Sequence, residues 1–199
     1  MIRMKIDDIR KQTAGGASKR SLNQIKNIAR HHSATSDGDY NAFWNNRWKG
    51  LGWKTGGYHE LILRDGSVQL CYDPEVITNG IKGHNTNTYH ICVVGNGSFT
   101  EAQEATFNER CKLAMKRFNL SADKVLGHKE FKGASTECPG IDMNIVRARL
   151  KDTPVKTASM DDGKRYRLFT GTFGTIADAE KAAAKIKKDY GYITYIREE

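Results

Sequence analysis

The stretch GGYHELILRDGSVQLCYD, residues 56–73, alternates polar and apolar residues into an Asp65-Gly66 pair and out again. Period-two alternation puts every second side chain on one face of an extended strand. An Asp-Gly pair supplies the backbone of a tight turn, so the whole stretch carries the strongest short-range signal for a β-hairpin. Strands are expected over 57–63 and 67–72. Further along, YHICVVG (89–95) is a continuous apolar run suited to the middle of a sheet. TEAQ follows, with Thr100 and Gln103 as a capping box. It opens a helix whose Phe107, Cys111, Ala114 and Phe118 form one apolar stripe, and MNIVRARL (143–150) suggests a last helix. Towards the N-terminus, SDGDY offers Asp37 or Asp39 as a helix cap. Tyr40, Phe43, Trp44, Trp48 and Leu51 then recur at helical spacing, predicting an amphipathic helix over 39–51. A short helix is expected at KIDDIRKQ (5–12), followed by the loose, Gly- and Ser-rich TAGGASKRS.

Apolar periodicity vanishes across KDTPVKTASMDDGK (151–164), which reads as a linker. Beyond it, YRLFTGTF reads as a strand, TIADAEKAAAKIKKDY as a helix with Ala179, Ala183, Ile186 and Tyr190 on one face, and GYITYI as a strand. The expected organisation is therefore a domain over 1–150, a linker over 151–163 and a small β-α-β module over 164–199. The module is too small to be comfortably stable alone.

The formal net charge of the 199 residues is +9, and residues 1–150 hold 22 lysines and arginines against 15 acids. Such a surplus favours an anionic partner, nucleic acid or phosphate-rich wall polymer alike, because long-range attraction raises encounter rates. Cys71, Cys92, Cys111 and Cys138 are scattered with no C-x-x-C pair, so neither a disulfide scaffold nor a zinc ribbon is indicated. No apolar run is long enough to span a bilayer, and the charged opening MIRMKIDDIRKQT lacks the apolar core of a signal peptide. The expected location is the cytoplasm, with no membrane insertion.

Two stretches carry chemistry. NIARHHSAT (27–35) ends a short apolar run on His31 and His32, and VLGHKEFKGASTECPG (125–140) places His128 and Cys138 ten residues apart across a Gly-containing loop. Imidazole and thiolate donors suit a borderline-soft ion such as zinc, and a catalytic zinc takes three protein ligands and leaves one position for water. Composition alone leaves these residues open to an ordinary structural reading, because no spacing among them matches a short metal motif. His59, His90, Cys92 and Cys111 sit in apolar patterns and read as core residues. His84 and Asn85, in the polar loop KGHNTN, either line a groove or form a surface turn.

Taken in order, HHSAT, GW…GGYHELILRDG, KGHNTN…ICVVGN and GHKEF…ECPG resemble the zinc-dependent N-acetylmuramoyl-L-alanine amidases of type 2, a family that includes peptidoglycan recognition proteins and many phage endolysins. The resemblance covers roughly 25–147. It implies an α/β fold with a mixed central β-sheet flanked by helices, and Zn2+ held by His31, His128 and Cys138, with His32 left out. It also implies hydrolysis of the amide joining muramic acid to L-alanine in bacterial peptidoglycan, with Tyr58 and Thr136 handling protons and charge.

Some relatives carry Lys at the position of Thr136, which brings only a hydroxyl, and some carry a Glu on the strand equivalent to HICVVG, where this chain has none. Alternation over 57–63 would put Glu60 on the same face as Tyr58, so Glu60 is expected as the replacement general base. The C-terminal segment resembles the small terminal modules of Bacillus-type amidase endolysins and, more distantly, half of a SPOR wall-binding domain. It is expected to bind the wall, to dock on the amidase domain or to form a homodimer with its own copy. The expected whole is a phage or prophage endolysin that acts on peptidoglycan and its anionic wall polymers. It would work from the host cytoplasm and not on nucleic acid. A non-catalytic peptidoglycan-binding protein of the same fold and, more distantly, a metal-dependent nuclease are the rival readings.

Overall fold

The computed structural model describes residues 5–16, 18–151 and 173–190, with side chains of the last helix described to Lys185. The chain divides into two compact units, Met1–Thr157 and Ala158–Glu199. In the first, six strands form one sheet: β1 (Ile6–Asp8), β2 (Asn27–His32), β3 (Glu60–Ile62), β4 (Val68–Leu70), β5 (Thr88–Val93) and β6 (Val125–Gly127), in the order β1-β4-β3-β5-β2-β6. The β3–β4 pair is antiparallel and the other neighbouring pairs are parallel. This is the expected mixed sheet. The hairpin forms at Asp65-Gly66, where Gly66 has φ +82° and the Asp65 carboxylate accepts from both the amide and the hydroxyl of Ser67.

The strands of that hairpin are shorter than expected, for a local reason. The carbonyl of His59 accepts from the amides of both Cys71 and Tyr72, a bulge in which two residues of the second strand face one of the first and regular pairing ends at Glu60 and Leu70. Regular alternation starts only at Glu60.

One face of the sheet is covered by α2 (Glu101–Phe118) and α3 (Met143–Leu150). Thr100 caps α2 through its hydroxyl, which accepts from the Gln103 amide, while Gln103 reaches back to the Thr100 amide; such a cap contributes about 1 kcal/mol. Phe107 and Cys111 of the expected stripe are fully buried against Ile28, Ile91 and Val125. The opposite face packs a second core around Leu61, Cys71, Cys92 and Trp48. It is built by α1 (Tyr40–Phe43), capped by Asp39, and by a wider π-type turn Trp44–Trp48, in which Lys49 bonds back to the Trp44 carbonyl at 2.9 Å. The expected helix over 39–51 is therefore split, because its aromatic rings pack across a widened turn.

Two expectations about elements need correction. KIDDIRKQ is not a helix: Ile6–Asp8 form an edge strand paired in parallel with Val68–Leu70, and Arg10 folds back on Asp8 and Asp73. Backbone pairing along the open edge outweighs the weak helical preference of these exposed residues. NIARHH, read only as the end of a short apolar stretch, supplies β2, and VLG, to which no element was assigned, supplies β6.

In the second unit, α4 (Ile176–Tyr190) matches the expected helix. The linker over 151–163 and the strands over 166–173 and 191–196 lie outside the described residues, apart from Lys151 and Phe173.

Candidate metal centre

Strand pairing decides which donors meet. Parallel register places Ala29 beside His90 and His31 beside Cys92, and on these strands Ile28, Arg30 and Ile91 point to the helices. His31 and His90 therefore share the face away from α2 and α3. His128 starts a 3-10 turn immediately after β6, and the loop that follows returns Cys138 to the same spot, held by the Lys129 amide donating to the Cys138 carbonyl at 2.8 Å. One ligand atom each from His31, His128 and Cys138 lies within 4.8 Å of the others. The Nδ1 atom of His31 faces the Cys138 sulfur at 3.8 Å.

Burial sets the protonation of these donors. It holds the His31 imidazole well below its usual pKa, with His128 and His32 adding to the effect, and it lowers His128 as well, helped by His32. Both rings are neutral near pH 7, with lone pairs free. Burial also pushes the Cys138 thiol up to about 11, opposed by the His32 amide, which donates to the sulfur at 3.3 Å. In the metal-free protein Cys138 is a thiol, and an ion must displace its proton.

Tyr58 covers the cluster, its ring 4.9 Å from that of His31 and packed edge-on to Trp48. Burial, with the sulfurs of Cys92 and Cys138, raises its phenol well above the usual value, so it keeps its proton and can donate. The Thr136 hydroxyl accepts from the Cys138 amide at 3.2 Å and so braces the loop beside the thiol. His32, half-buried, stays outside the donor triangle.

Glu60 is not with them. β3 starts only at Glu60, so the alternation on which its placement beside Tyr58 depended does not reach Tyr58, and the carboxylate points to the helix side. There it accepts from Arg110 at 2.7 and 2.8 Å and from the Tyr89 hydroxyl at 2.7 Å. With both oxygens engaged and the side chain buried, it has no path to a substrate above Tyr58. The expectation of Glu60 as general base is withdrawn.

His59 is a buried structural histidine. Its Nδ1 accepts the His90 amide at 3.0 Å, its other nitrogen lies 3.0 Å from the Val76 carbonyl, and burial beside Arg20 lowers its pKa to about 3. His84 Nε2 lies 3.1 Å from the Lys132 carbonyl and its ring packs on Phe131, while Asn85 accepts from the Ile81 amide; both brace the loops around the centre. Sequence reasoning placed His90 in the core without a role. Its Nδ1 lies 3.1 Å from Nε2 of His31, a contact that recognising NIARHH as a strand beside YHICVV would have exposed.

A model of the N-acetylmuramoyl-L-alanine amidase family matches residues 21–141, spanning every element that carries this cluster. The chain belongs to this amidase family. Among curated relatives, the endolysins of Klebsiella phage KP32 and Enterobacteria phage K11 are each 28% identical, over 103 and 101 residues. Each alignment covers 48% of this chain and 66% of the phage protein, just short of two thirds of its length. Among solved structures, the N-acetylmuramoyl-L-alanine amidase endolysin LysCS from Clostridium intestinale superposes with a TM-score of 0.64 at 23% identity, covering 75% of this chain and 97% of that one. The ectodomain complex of the peptidoglycan recognition proteins PGRP-LCa and PGRP-LCx bound to tracheal cytotoxin gives 0.62 at 18%, covering 73% and 96%. At these identities the likeness shows the fold.

The amidase donor set fits a zinc ion. Two neutral imidazoles and one thiol suit its borderline softness, and tetrahedral bonds of about 2.3 Å to sulfur and 2.0 Å to nitrogen would hold the two atoms roughly 3.5 Å apart. The observed 3.8 Å between Cys138 and His31 is close to that spacing. No helix among the described residues is long and apolar enough to cross a membrane.

Proposed function

We propose that this chain is an endolysin-type enzyme that hydrolyses the amide between N-acetylmuramic acid and L-alanine in bacterial peptidoglycan, with Zn2+ held by His31, His128 and Cys138. The observation that carries the reading is the compact His-His-Cys cluster at the end of strand β2, with a protonated Tyr58 above it. When bound, the ion supplies a water of lowered pKa and polarises the scissile carbonyl. The chain's residues do the rest. Tyr58 donates its phenol proton in a hydrogen bond to the oxygen that gains charge as the amide carbon becomes tetrahedral, a contact stronger in the transition state than in the ground state. Thr136 and the His128–Cys138 loop hold the thiol in place. The two imidazoles would bring no charge and Cys138 a single negative one, so this donor set would leave a bound Zn2+ part of its positive charge.

Digestion of purified walls by the zinc-loaded chain should release new N-terminal L-alanine without new reducing ends, stop with a chelator and resume with Zn2+. New reducing ends as the main product would exclude an amidase. Wall binding without turnover would favour a non-catalytic recognition protein, and chelator-sensitive cutting of plasmid DNA would favour a nuclease.

The second unit completes the proposal. An amphipathic α4 and the strands expected on either side are too small for a self-sufficient core, so pairing with a second copy would bury the helix face and present two wall-binding surfaces for one enzyme. The anionic wall polymers suit the chain's positive charge. Truncation after Thr157 should leave hydrolysis of small soluble muropeptides unchanged and weaken sedimentation with intact walls. Equal wall binding by the truncated chain would remove the targeting role.

A further inference from the structure

We propose that His90 is the positioning residue of the metal centre: its Nδ1 accepts the Nε2 proton of His31 and thereby reserves Nδ1 of His31 for the ion. The inference rests on the zinc reading above and extends it to a residue outside the donor set. His31 is fully buried, and its Nε2 faces His90 Nδ1 at 3.1 Å while its Nδ1 faces Cys138. An imidazole that gives one nitrogen to a metal carries its proton on the other, and a partner for that proton fixes both tautomer and ring orientation. A carboxylate or a backbone carbonyl usually serves. Here the partner is a second neutral imidazole.

Three features of the surroundings hold His90 to that task. Its backbone is clamped on both sides by His59, whose amide donates to the His90 carbonyl at 2.9 Å and whose ring accepts the His90 amide at 3.0 Å. The two rings then lie nearly parallel, at 14° with centroids 5.7 Å apart. Room for the ring comes from Gly80, where a Cβ would fall 2.5 Å from His90 Nδ1 and 2.7 Å from Cγ; its backbone is not in the left-handed region, so glycine is present there for space.

The proton count closes. His31 carries its proton on Nε2, His90 accepts it on Nδ1, and the remaining proton sits on His90 Nε2, which has no hydrogen-bond partner among the described residues. A residue needed only to fill this space would not have to leave a buried nitrogen unpaired, since an apolar side chain would fill it without that cost. The accepting Nδ1 is what a phenyl ring lacks.

The test compares the full chain with His90→Phe, which keeps the ring and removes the acceptor, and with His90→Asn, whose Oδ1 restores an acceptor at the position of Nδ1. Zinc affinity is read by competition with a chromophoric chelator, and the Co2+ form by its visible spectrum. His90→Phe should bind zinc about 10- to 100-fold more weakly and shift the Co2+ bands, with His90→Asn returning to within about threefold of the parent. Long-range 1H–15N spectra of the unaltered metal-free chain should show His31 protonated on Nε2 and His90 on Nε2.

Parent-like affinity in His90→Phe, equal weakness in both variants, or a proton on Nδ1 of His31 would overturn the proposal. If His90→Phe does not fold, the spectra of the unaltered chain decide. Failure of the unaltered chain to bind zinc would instead remove the metal reading, and this inference with it.

Discussion

The two faces of the central sheet treat polar residues in opposite ways. Towards the helices, Arg30 is completely buried between the rings of Phe99 and Phe107 and pairs with Glu104, and Glu60 is closed off by Arg110 and Tyr89. Charges there meet charges, each carboxylate held by a guanidinium. On the other face, His31, His128 and Cys138 converge with neutral rings and a protonated thiol, their ligand atoms aimed at one another rather than at structural partners. Burial alone therefore does not mark a functional group, since Glu60 and His31 are equally inaccessible. What separates them is what the buried polar atoms face: Glu60 meets a guanidinium and a phenol, whereas His31 turns one nitrogen to a thiol that shares its cluster.

Cys138→Ser should break the contrast most severely. Replacing the soft sulfur should lower wall hydrolysis about a thousandfold or more and cost most of the bound zinc. The melting temperature of the metal-free chain should move by no more than about 4 °C, the equivalent of 1 kcal/mol at this size. A variant that still binds zinc and lyses walls normally would show that the cluster is structural.

Tyr58→Phe and Glu60→Gln sharpen the comparison as a pair. Loss of a single donor to a developing oxyanion costs about a hundredfold in kcat, so Tyr58→Phe should show that loss with KM and zinc content retained. Glu60→Gln should do the reverse, destabilising the fold by about 3 kcal/mol as Arg110 loses its counter-charge and one of the two acceptor oxygens becomes a donor, while kcat stays within about twofold wherever the protein is folded. A stable Glu60→Gln enzyme with collapsed turnover would reverse the assignment of the two faces.

The smallest effect is one of pH. With the Cys138 thiol near 11 and both imidazoles lowered below their usual value, zinc binding releases one proton, and that proton comes from sulfur. Affinity should therefore rise about tenfold per pH unit from about pH 7 to 9, because each unit makes the thiol ten times easier to deprotonate. Calorimetry in buffers of different ionisation enthalpy counts the proton directly. A slope near zero would mean that Cys138 is already ionised, and a slope near two that one histidine also carries a proton.

Much of this molecule was legible from residue patterns alone. The Asp65-Gly66 turn, the apolar run of β5 and the capping box of α2 are local signals, set by backbone preference and side-chain periodicity over a few residues. Local signals placed the hairpin, β5, α2 and α3, while the mixed sheet that joins them was implied by the family resemblance. The trio His31, His128 and Cys138 was named from the resemblance of four ordered motifs, not from spacing, because its members are separated by up to 107 residues.

Tertiary structure decided the rest, and in each case the reason is a partner distant in sequence. Ile6–Asp8 became a strand because β4 offered an unpaired edge. Glu60 left the site because β3 starts only at that residue, so the two-residue period does not extend to Tyr58, and Arg110 and Tyr89 hold the carboxylate on the helix side. His90 met His31 because β2 and β5 pair in parallel register, and Gly80 left room for the ring. Periodicity says which residues share a face of one strand. Only the pairing of strands says whose ring that face will touch.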